Sequence, residues 1–303
     1  MSDQQYIWMD GKMVKEQDAN VHVLTHSLQY ASGIFEGTRS FTAKKGTAIF
    51  RLKEHTHRFF NTAKIAHMTL PFTEQQINTA TIEVVRKNKL GDSYIRPFGY
   101  YGVKGVGLTN PVKYPKVSVA IAAFYFARYL EKKGGLRCKI SSYRKVSSSM
   151  LSPRAKLSAN YMGSLLASLE AKDAGYDEAI LLSESGHVTE GPAENIFMVS
   201  EGTVVTPPSS ANILMGITRD SIIRIAKDLG FAVEERNIHR EELYTCDEAF
   251  FTGTAVELEP IVSIDKRKTG DGKIGPITKR LSDTYSQALR GQKKEYEKWL
   301  TYV

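Results

Sequence analysis

The 303-residue sequence predicts a mixed fold, α/β (α+β), built as two domains. Three observations carry this. Short β-like runs alternate with segments whose apolar residues recur at helical spacing. The chain is long enough for one large or two smaller domains with a sizeable core. A charged, glycine-bearing stretch, RYLEKKGGLR, separates a first half that closes on strands from a second that opens on one. The expected division is a small N-terminal domain over 1–127, a linker over 128–135 and a larger C-terminal domain over 136–303.

In order, YIWMDGKMV reads as strand, Asp-Gly turn, strand. HRFFNTAKIAHM is helical. In PFTEQQINTATIEVVRKNKLG, Ile77, Ile82, Val85 and Leu90 hold helical spacing and Gly91 is the expected stop. SYIRPFGYYG and KVSVAIAAFYF are strands. Past the linker, RCKISSYRKV is a strand. NYMGSLLASLEAKDAG is a helix with Met162, Leu165, Leu166 and Leu169 on one face and Gly175 beyond its end. The run DEAILLSESGHVTEGPAENIFMVSEGTVVTP gives three short strands around glycine turns. TRDSIIRIAKDLG is a helix with Thr218 as its expected N-cap and Gly230 as its stop. EAFFTGTAVELEPIVSI is two strands around a Gly-Thr-Ala bend.

Composition removes several classes of function. With 42% hydrophobic and 24% charged residues the chain is an ordinary globular one, not a disordered one. Its two cysteines, Cys138 and Cys246, form no C-x-x-C pair, which argues against a disulfide framework or zinc knuckle and fits a reducing cytoplasm. The N-terminus has no apolar signal core. The longest apolar run, Val117 to Ala127, is too short to span a bilayer. No membrane partner is expected. The formal charge of +8 raises nucleic-acid binding. The basic residues are scattered, and no nucleic-acid motif accompanies them, so a solvated surface is the expectation.

Five short stretches could carry chemistry, and each also has a plain reading. Lys156 lies five residues before Tyr161, about 140° away on a regular helix, so the two meet only if Lys156 precedes the helix, with Asn160 as a cap. A lysine held there with a lowered pKa forms an imine with an aldehyde; otherwise it is a surface lysine. GITRDSI feeds a helix N-terminus from a glycine, which seats a phosphate on Ile217 and Thr218 or is an ordinary cap. Gly253-Thr254-Ala255 lets an anion approach backbone amides or is a plain turn. Glu190 in VTEGPAEN could pair with a protonated ring nitrogen or stand on the surface. In EHTHRFF, His55 and His57 fall about 200° apart on a helix, so no metal site is expected. Arg58 suits a phosphate. Together these make a parts list for pyridoxal 5′-phosphate, with the protein supplying orientation and electrostatics.

The motifs YASGIFEGTRSF, RLKEHTHRFFNTAKI, YIRPFGYYG, AKLSANYMGSLLA, EAILLSESGHVTEGPAENIF, ILMGITRDSII, EAFFTGTAVELEPIVSID and GPITKRL stand in this order along nearly the whole chain. In this the sequence resembles the branched-chain amino acid aminotransferases of the fold-type IV pyridoxal-phosphate class. The resemblance implies a C-terminal pseudo-barrel and a role for each matching residue. Lys156 would carry the cofactor and shuttle the α-proton. Tyr161 would bond its phenolic oxygen, and Glu190 would hold its ring nitrogen protonated. Leu214 would pack on the ring. Arg58, Ile217, Thr218 and Thr254 would hold the phosphate. Thr254, Ala255 and Tyr94 would take the substrate α-carboxylate. Tyr30, Phe35, Val106, Leu108, Phe126 and Tyr129 would wall the side-chain pocket, with Gly37 leaving room near the ring. Arg96 would reach the distal carboxylate of glutamate.

The implied reaction moves the amino group of L-leucine, L-isoleucine or L-valine to 2-oxoglutarate, in a homo-oligomer that is at least a dimer, with Tyr30 and Leu108 from the neighbouring subunit. Departures from the family pattern occur at Ser158-Ala159, Met215 and Tyr125-Phe126, and bear on pocket shape. The rivals are a D-amino-acid or (R)-amine transaminase, an aminodeoxychorismate lyase, and a binding protein on the same fold. Retained Lys156, Tyr161 and Glu190 argue against the last.

Overall fold

The structure, a computed structural model, describes residues 5–103, 105–126, 132 and 134–303. Most of the expected linker, and with it Tyr129, lies outside the described residues. The chain runs β1 (Tyr6–Met9), β2 (Lys12–Lys15), α1 (His26–Tyr30), β3 (Ile34–Phe35), β4 (Thr38–Ala43), β5 (Gly46–Phe50), α2 (Leu52–Ile65), α3 (Glu74–Lys87), β6 (Ser93–Tyr101), α4 (Asn110–Lys113) and β7 (Val117–Tyr125). It continues β8 (Leu136–Arg144), α5 (Tyr161–Asp173), β9 (Glu178–Leu182), β10 (Asn195–Ser200), β11 (Thr203–Thr206), α6 (Ile217–Asp228), β12 (Val233–Glu235), α7 (Glu242–Thr245), β13 (Glu248–Gly253), β14 (Glu257–Ile264), β15 (Arg267–Lys268), α8 (Pro276–Leu289) and β16 (Leu300–Tyr302). Two compact units result: Met1–Ala127 with Ala155–Ala159 and Ala288–Val303, and Arg128–Arg154 with Asn160–Gln287.

Unit 1 is an antiparallel sheet ordered β16-β5-β4-β6-β7-β1-β2, with β3 paired to β6. The β1–β2 turn is the Asp10-Gly11 pair, both with positive φ, the conformation a tight right-twisted hairpin needs. Alternation along the strands sends Trp8, Ile95, Val119 and Ile121 into a core with Phe59 of α2 and Ile77, Val84 and Val85 of α3. α3 opens on a full capping box between Thr73 and Gln76. It ends earlier than its glycine suggests: Asn88 is the C-cap and Lys89 takes the left-handed conformation, leaving Gly91 in the following loop.

The entry to α2 is fixed by the C-terminus. Arg51, the N-cap, sits at φ 49°. Its amide donates to Trp299 O at 2.6 Å and its guanidinium lies over the Trp299 ring. Such a left-handed residue persists only where the surroundings over-determine it. β3, β4, β5 and β16 were not among the expected elements. β3 and β16 are only two and three residues long, and the β4–β5 hairpin carries no turn pair as plain as Asp-Gly.

Unit 2 is a mixed sheet ordered β12-β11-β10-β13-β14-β8-β9, with β15 on β14. Its core gathers Ile140, Ile180, Leu182, Ile196, Phe251 and Ile261 with both buried cysteines, which are free thiols. The β10–β11 pair and the β13–β14 pair stand where the sequence places strands. Gly175 and Gly230 sit just past the ends of α5 and α6 with positive φ, as expected. Two expectations fail and one holds in part. The N-cap of α6 is Gly216, so Thr218 lies inside the first turn. Asn160 is the N-cap of α5, as expected, but makes no side-chain capping bond; its Nδ2 donates to Ser152 O. The α5 stripe is exposed at Met162, Leu165 and Leu169, and the helix packs through Ala167 and Ala171 onto Ala179 and Leu181 of β9. Small residues face the sheet there because they allow close approach.

Among the described residues no helix is long and apolar enough to cross a membrane.

Candidate active site

In unit 1 the site is assembled by α2, β3, β6 and the segment 155–159. Lys156 is held by its backbone in two places, and Ser158 two residues on adds a third tie. The Lys156 amide donates to Thr62 Oγ1 at 3.1 Å, its carbonyl accepts from the Phe35 amide at 3.1 Å, and Ser158 N donates to Gly33 O at 2.9 Å. Lys156 stands before α5, with a short 3₁₀ turn over Ser158–Asn160 between them. Its amine lies 5.0 Å from the Phe35 ring centroid. Burial, and then the charge of Arg58, lower its pKa from 10.5 to about 8. The residue is not fully buried, and an amine of this pKa is partly neutral near neutrality.

Arg58 does not face solvent alone. Glu36, 1% exposed, accepts from Arg58 Nε and Nη2 at 2.5 and 2.9 Å, from His55 Nδ1 at 2.9 Å and from Gly37 N at 3.0 Å. Burial alone would raise the Glu36 pKa. The charge of Arg58 and the bonds from His55 and Arg58 outweigh it and hold the carboxyl far below its usual range. His55 is itself buried, which lowers its pKa despite the Glu36 bond, and His57 is exposed and bonded to Glu74. The 200° separation thus turns one imidazole in and the other out. Among the described residues no group of three metal-ligating side chains occurs.

Next to this lies an aromatic cluster. Arg96 stands over the rings of Phe35 and Tyr94, 4.6 and 5.0 Å from their centroids, and its Nη2 donates to Tyr94 Oη at 3.0 Å. Tyr94 contacts Phe124 and Phe126. Arg96 Nε is buried without a hydrogen-bond partner, and among the described residues no carboxylate pairs with Arg96. Gly37 is obligatory here for a reason the sequence did not show. A Cβ on it would fall 2.0 Å from Tyr94 Oη.

Tyr30, Val106 and Leu108 form a separate group. Gly107 N donates to Tyr30 Oη at 3.2 Å, while Val106 and Leu108 are 78% and 70% exposed.

In unit 2 the second set centres on Glu190, 4% exposed. Glu190 bridges to Asn195 at the mouth of the VTEGPAEN turn. Its Oε2 accepts from Asn195 Nδ2 and from Leu214 N, each at 3.0 Å, and its Oε1 lies 2.6 Å from Lys145 Nζ. Burial would lower the Lys145 pKa, but Glu190's charge and hydrogen bond outweigh it and raise it. Leu214 O accepts from the same Asn195 Nδ2 at 2.9 Å, so Leu214 is fixed by its backbone.

Gly216 must lack a side chain, because a Cβ would meet Asn195 Oδ1 at 2.0 Å. It leads into the buried first residues of α6, Ile217 and Thr218, and Tyr285 Oη lies 3.5 Å from Thr218 Oγ1. The N-terminal amides and dipole of such a helix favour an anion. Thr254 and Ala255 form the half-buried bend between β13 and β14, which closes on Glu257 at φ 60°. Tyr161 opens α5 and is half-buried.

A family model described as "Amino-transferase class IV" matches residues 33–264. A branched-chain-amino-acid aminotransferase of Pseudomonas aeruginosa is 42% identical over 300 residues, 98% of this chain and 97% of its own. A branched-chain aminotransferase of Thermoproteus uzoniensis, solved with norvaline, superposes with a TM-score of 0.94 at 43% identity over 98% of this chain and 99% of its own. A branched-chain amino acid aminotransferase of Thermobaculum terrenum, solved in its PLP-form, gives a TM-score of 0.91 at 35% identity over 99% of each chain. The chain belongs to the branched-chain members of the class IV aminotransferase family.

Three polar groups of this class IV aminotransferase escaped the sequence reading as site components: Glu36, Lys145 and Asn195. Nothing local marks them as buried. One signal was available: His55, Arg58 and Thr62 follow i, i+3, i+7 on α2, so one helix face carries all three.

Proposed function

We propose that this aminotransferase uses pyridoxal 5′-phosphate to move the amino group of L-leucine, L-isoleucine or L-valine to 2-oxoglutarate, giving branched-chain 2-oxo acids and L-glutamate. The observation that carries the reading is Lys156: an amine with its pKa lowered to about 8 and its backbone clamped at two points.

The donor set fits the cofactor. Arg58, Ile217, Thr218 and Thr254 would hold its phosphate, Tyr161 its phenolic oxygen, and Leu214 its ring face. Glu190 would hold its ring nitrogen: a carboxylate offers about four acceptor positions, and three are used among the described residues. When bound, pyridoxal phosphate supplies a reactive aldehyde and an electron-withdrawing ring. Lys156 would hold that aldehyde and, once freed, take the proton from the amino acid Cα and return one.

The pocket must accept an apolar side chain and the γ-carboxylate of glutamate in turn. Phe35 and Phe126 give apolar walls. Arg96, cushioned by two rings and, among the described residues, without a carboxylate partner, reads the distal acid. Tyr94, Thr254 and Ala255 would take the α-carboxylate. The near-full exposure of Val106 and Leu108 supports a homodimer in which they and Tyr30 complete the partner's pocket. Tyr129, outside the described residues, is the further wall residue that the resemblance implies. The working compartment is the cytoplasm.

The test is the near-visible absorption spectrum of the purified protein before and after L-leucine, D-alanine or an (R)-amine. Conversion by L-leucine alone supports the reading. Response only to D-alanine or the amine moves the function to a sister activity. No band even with added pyridoxal phosphate refutes it.

A further inference from the structure

α2 carries a buried arrangement that this reading does not use. Glu36 is almost fully enclosed, and its two oxygens accept four N–H groups. That is about all a carboxylate can accept. Two donors come from one edge of the Arg58 guanidinium, the Nε–Nη2 edge. A planar guanidinium held on one edge has its other edge aimed, with little freedom left. His55 supplies the third bond from one turn earlier on the same helix, and Gly37 N the fourth. Thr62, one turn further, holds the Lys156 amide. A single helix face therefore registers the guanidinium, the carboxylate and the lysine backbone together.

Such a buried acid costs desolvation, so its burial asks for a role. We propose that Glu36 is a positioning residue: it aims Arg58 at the cofactor phosphate and balances the Arg58 charge beside Lys156, with His55 as the neutral strut that holds it. The proposal rests on the assignment of Arg58 and Lys156 to the cofactor.

The electrostatics follow from the neighbours. The Lys156 amine feels Arg58 and Arg96, which disfavour its ammonium, and Glu36 and Tyr94, which favour it; His55, neutral, adds no charge. Replacing Glu36 by Gln leaves Arg58 without its counter-charge. The Lys156 ammonium is then less favoured, and its titration moves to lower pH. The guanidinium also loses its charge-assisted clamp, so the phosphate grip weakens while groups that contact only the ring are untouched.

The experiment uses the full chain stripped of cofactor. Dissociation constants are measured for pyridoxal phosphate and for pyridoxal, which lacks the phosphate, in the wild type, Glu36→Gln, Glu36→Asp, His55→Phe and His55→Asn. The pH dependence of Lys156 trapping by pyridoxal and borohydride is followed in each. The expected result is pyridoxal phosphate binding weakened on the order of ten- to a hundred-fold in Glu36→Gln, the loss expected for a charge-assisted bond, with pyridoxal binding within about two-fold of wild type. The trapping midpoint should fall. His55→Phe should show the same pattern more weakly. Glu36→Asp and His55→Asn should recover part of each effect.

Should Glu36→Gln not fold, His55→Phe against His55→Asn carries the test alone. Equal loss for both aldehydes, or an unmoved midpoint, would show that Glu36 serves stability only and overturns the proposal. A wild type that binds neither aldehyde overturns both the proposal and the functional reading; a wild type that binds pyridoxal phosphate beside unaffected variants overturns the proposal alone.

Discussion

Glu36 and Glu190 are the same residue type, 1% and 4% exposed, and each faces a cation. They differ in how many acceptor positions remain. Glu36 spends four bonds on Arg58, His55 and Gly37 N. Among the described residues Glu190 accepts three, from Lys145, Asn195 and Leu214 N. The cations differ too. A guanidinium clamps through two parallel bonds and stays charged at any relevant pH, whereas an ammonium is a point charge on a flexible stem. A saturated carboxylate can only hold its donors. One with spare acceptor capacity can also receive a ring N–H. Burial alone would have ranked the two alike.

The comparison breaks first at the amine beside Glu36. Lys156→Ala is expected to reduce transamination by roughly 10²–10⁴-fold or more, the scale of a lost general base, with far-ultraviolet circular dichroism unchanged. Substantial remaining turnover would refute its role.

Next comes the Glu190 pair. Lys145→Met leaves a buried carboxylate with neutral donors only, a loss of about 3–5 kcal/mol in unfolding free energy. Lys145→Arg should recover most of it. Because the folded Lys145 pKa is raised, this stabilisation is complete below 10.5 and is lost as pH rises through the folded value. Denaturant melts at pH 7 and pH 11 check it: a penalty that is equal at both would show that charge is not the cause.

A smaller effect of opposite sign belongs to Lys156 itself. Its pKa falls from 10.5 to about 8. Between those values the unfolded chain binds more protons, so stability rises with pH across the window. Below it the cofactor-free fold carries a penalty on the order of 3 kcal/mol. Lys156→Met should therefore stabilise the cofactor-free protein at pH 7 and lose that advantage above pH 10.5. A gain independent of pH would point to packing.

The smallest expected effect is selective. Arg96→Ala should weaken glutamate and 2-oxoglutarate by roughly ten- to a hundred-fold, the scale of a charged hydrogen bond, and leucine by less. Steady-state kinetics with both donors decide it, and equal losses would remove Arg96 as reader of the distal carboxylate.

Much of the frame was legible because its causes are local. The Asp10-Gly11 hairpin, α6 from its apolar period and Gly230, and the β13–β14 pair around Gly253 all rest on interactions within a few residues. The Lys156 and Arg58 motifs also read directly. What local pattern could not supply is which face of an element finds a partner. α5 shows an apolar stripe, yet its alanines are the buried side, because close packing on β9 requires small residues there.

The sequence by itself determined the mixed class, the Asp10-Gly11 hairpin, α3, α6 and the β13–β14 pair, and the residue types able to bind a phosphorylated aldehyde. The tertiary structure decided which of them have company. Arg58 meets Glu36 across 22 residues, Glu190 meets Leu214 across 24, and the Lys156 amide meets Thr62 across 94. No local period encodes such separations. They arise only when buried carboxylates must find donors, since a charge removed from water without partners would cost more than the fold can spare.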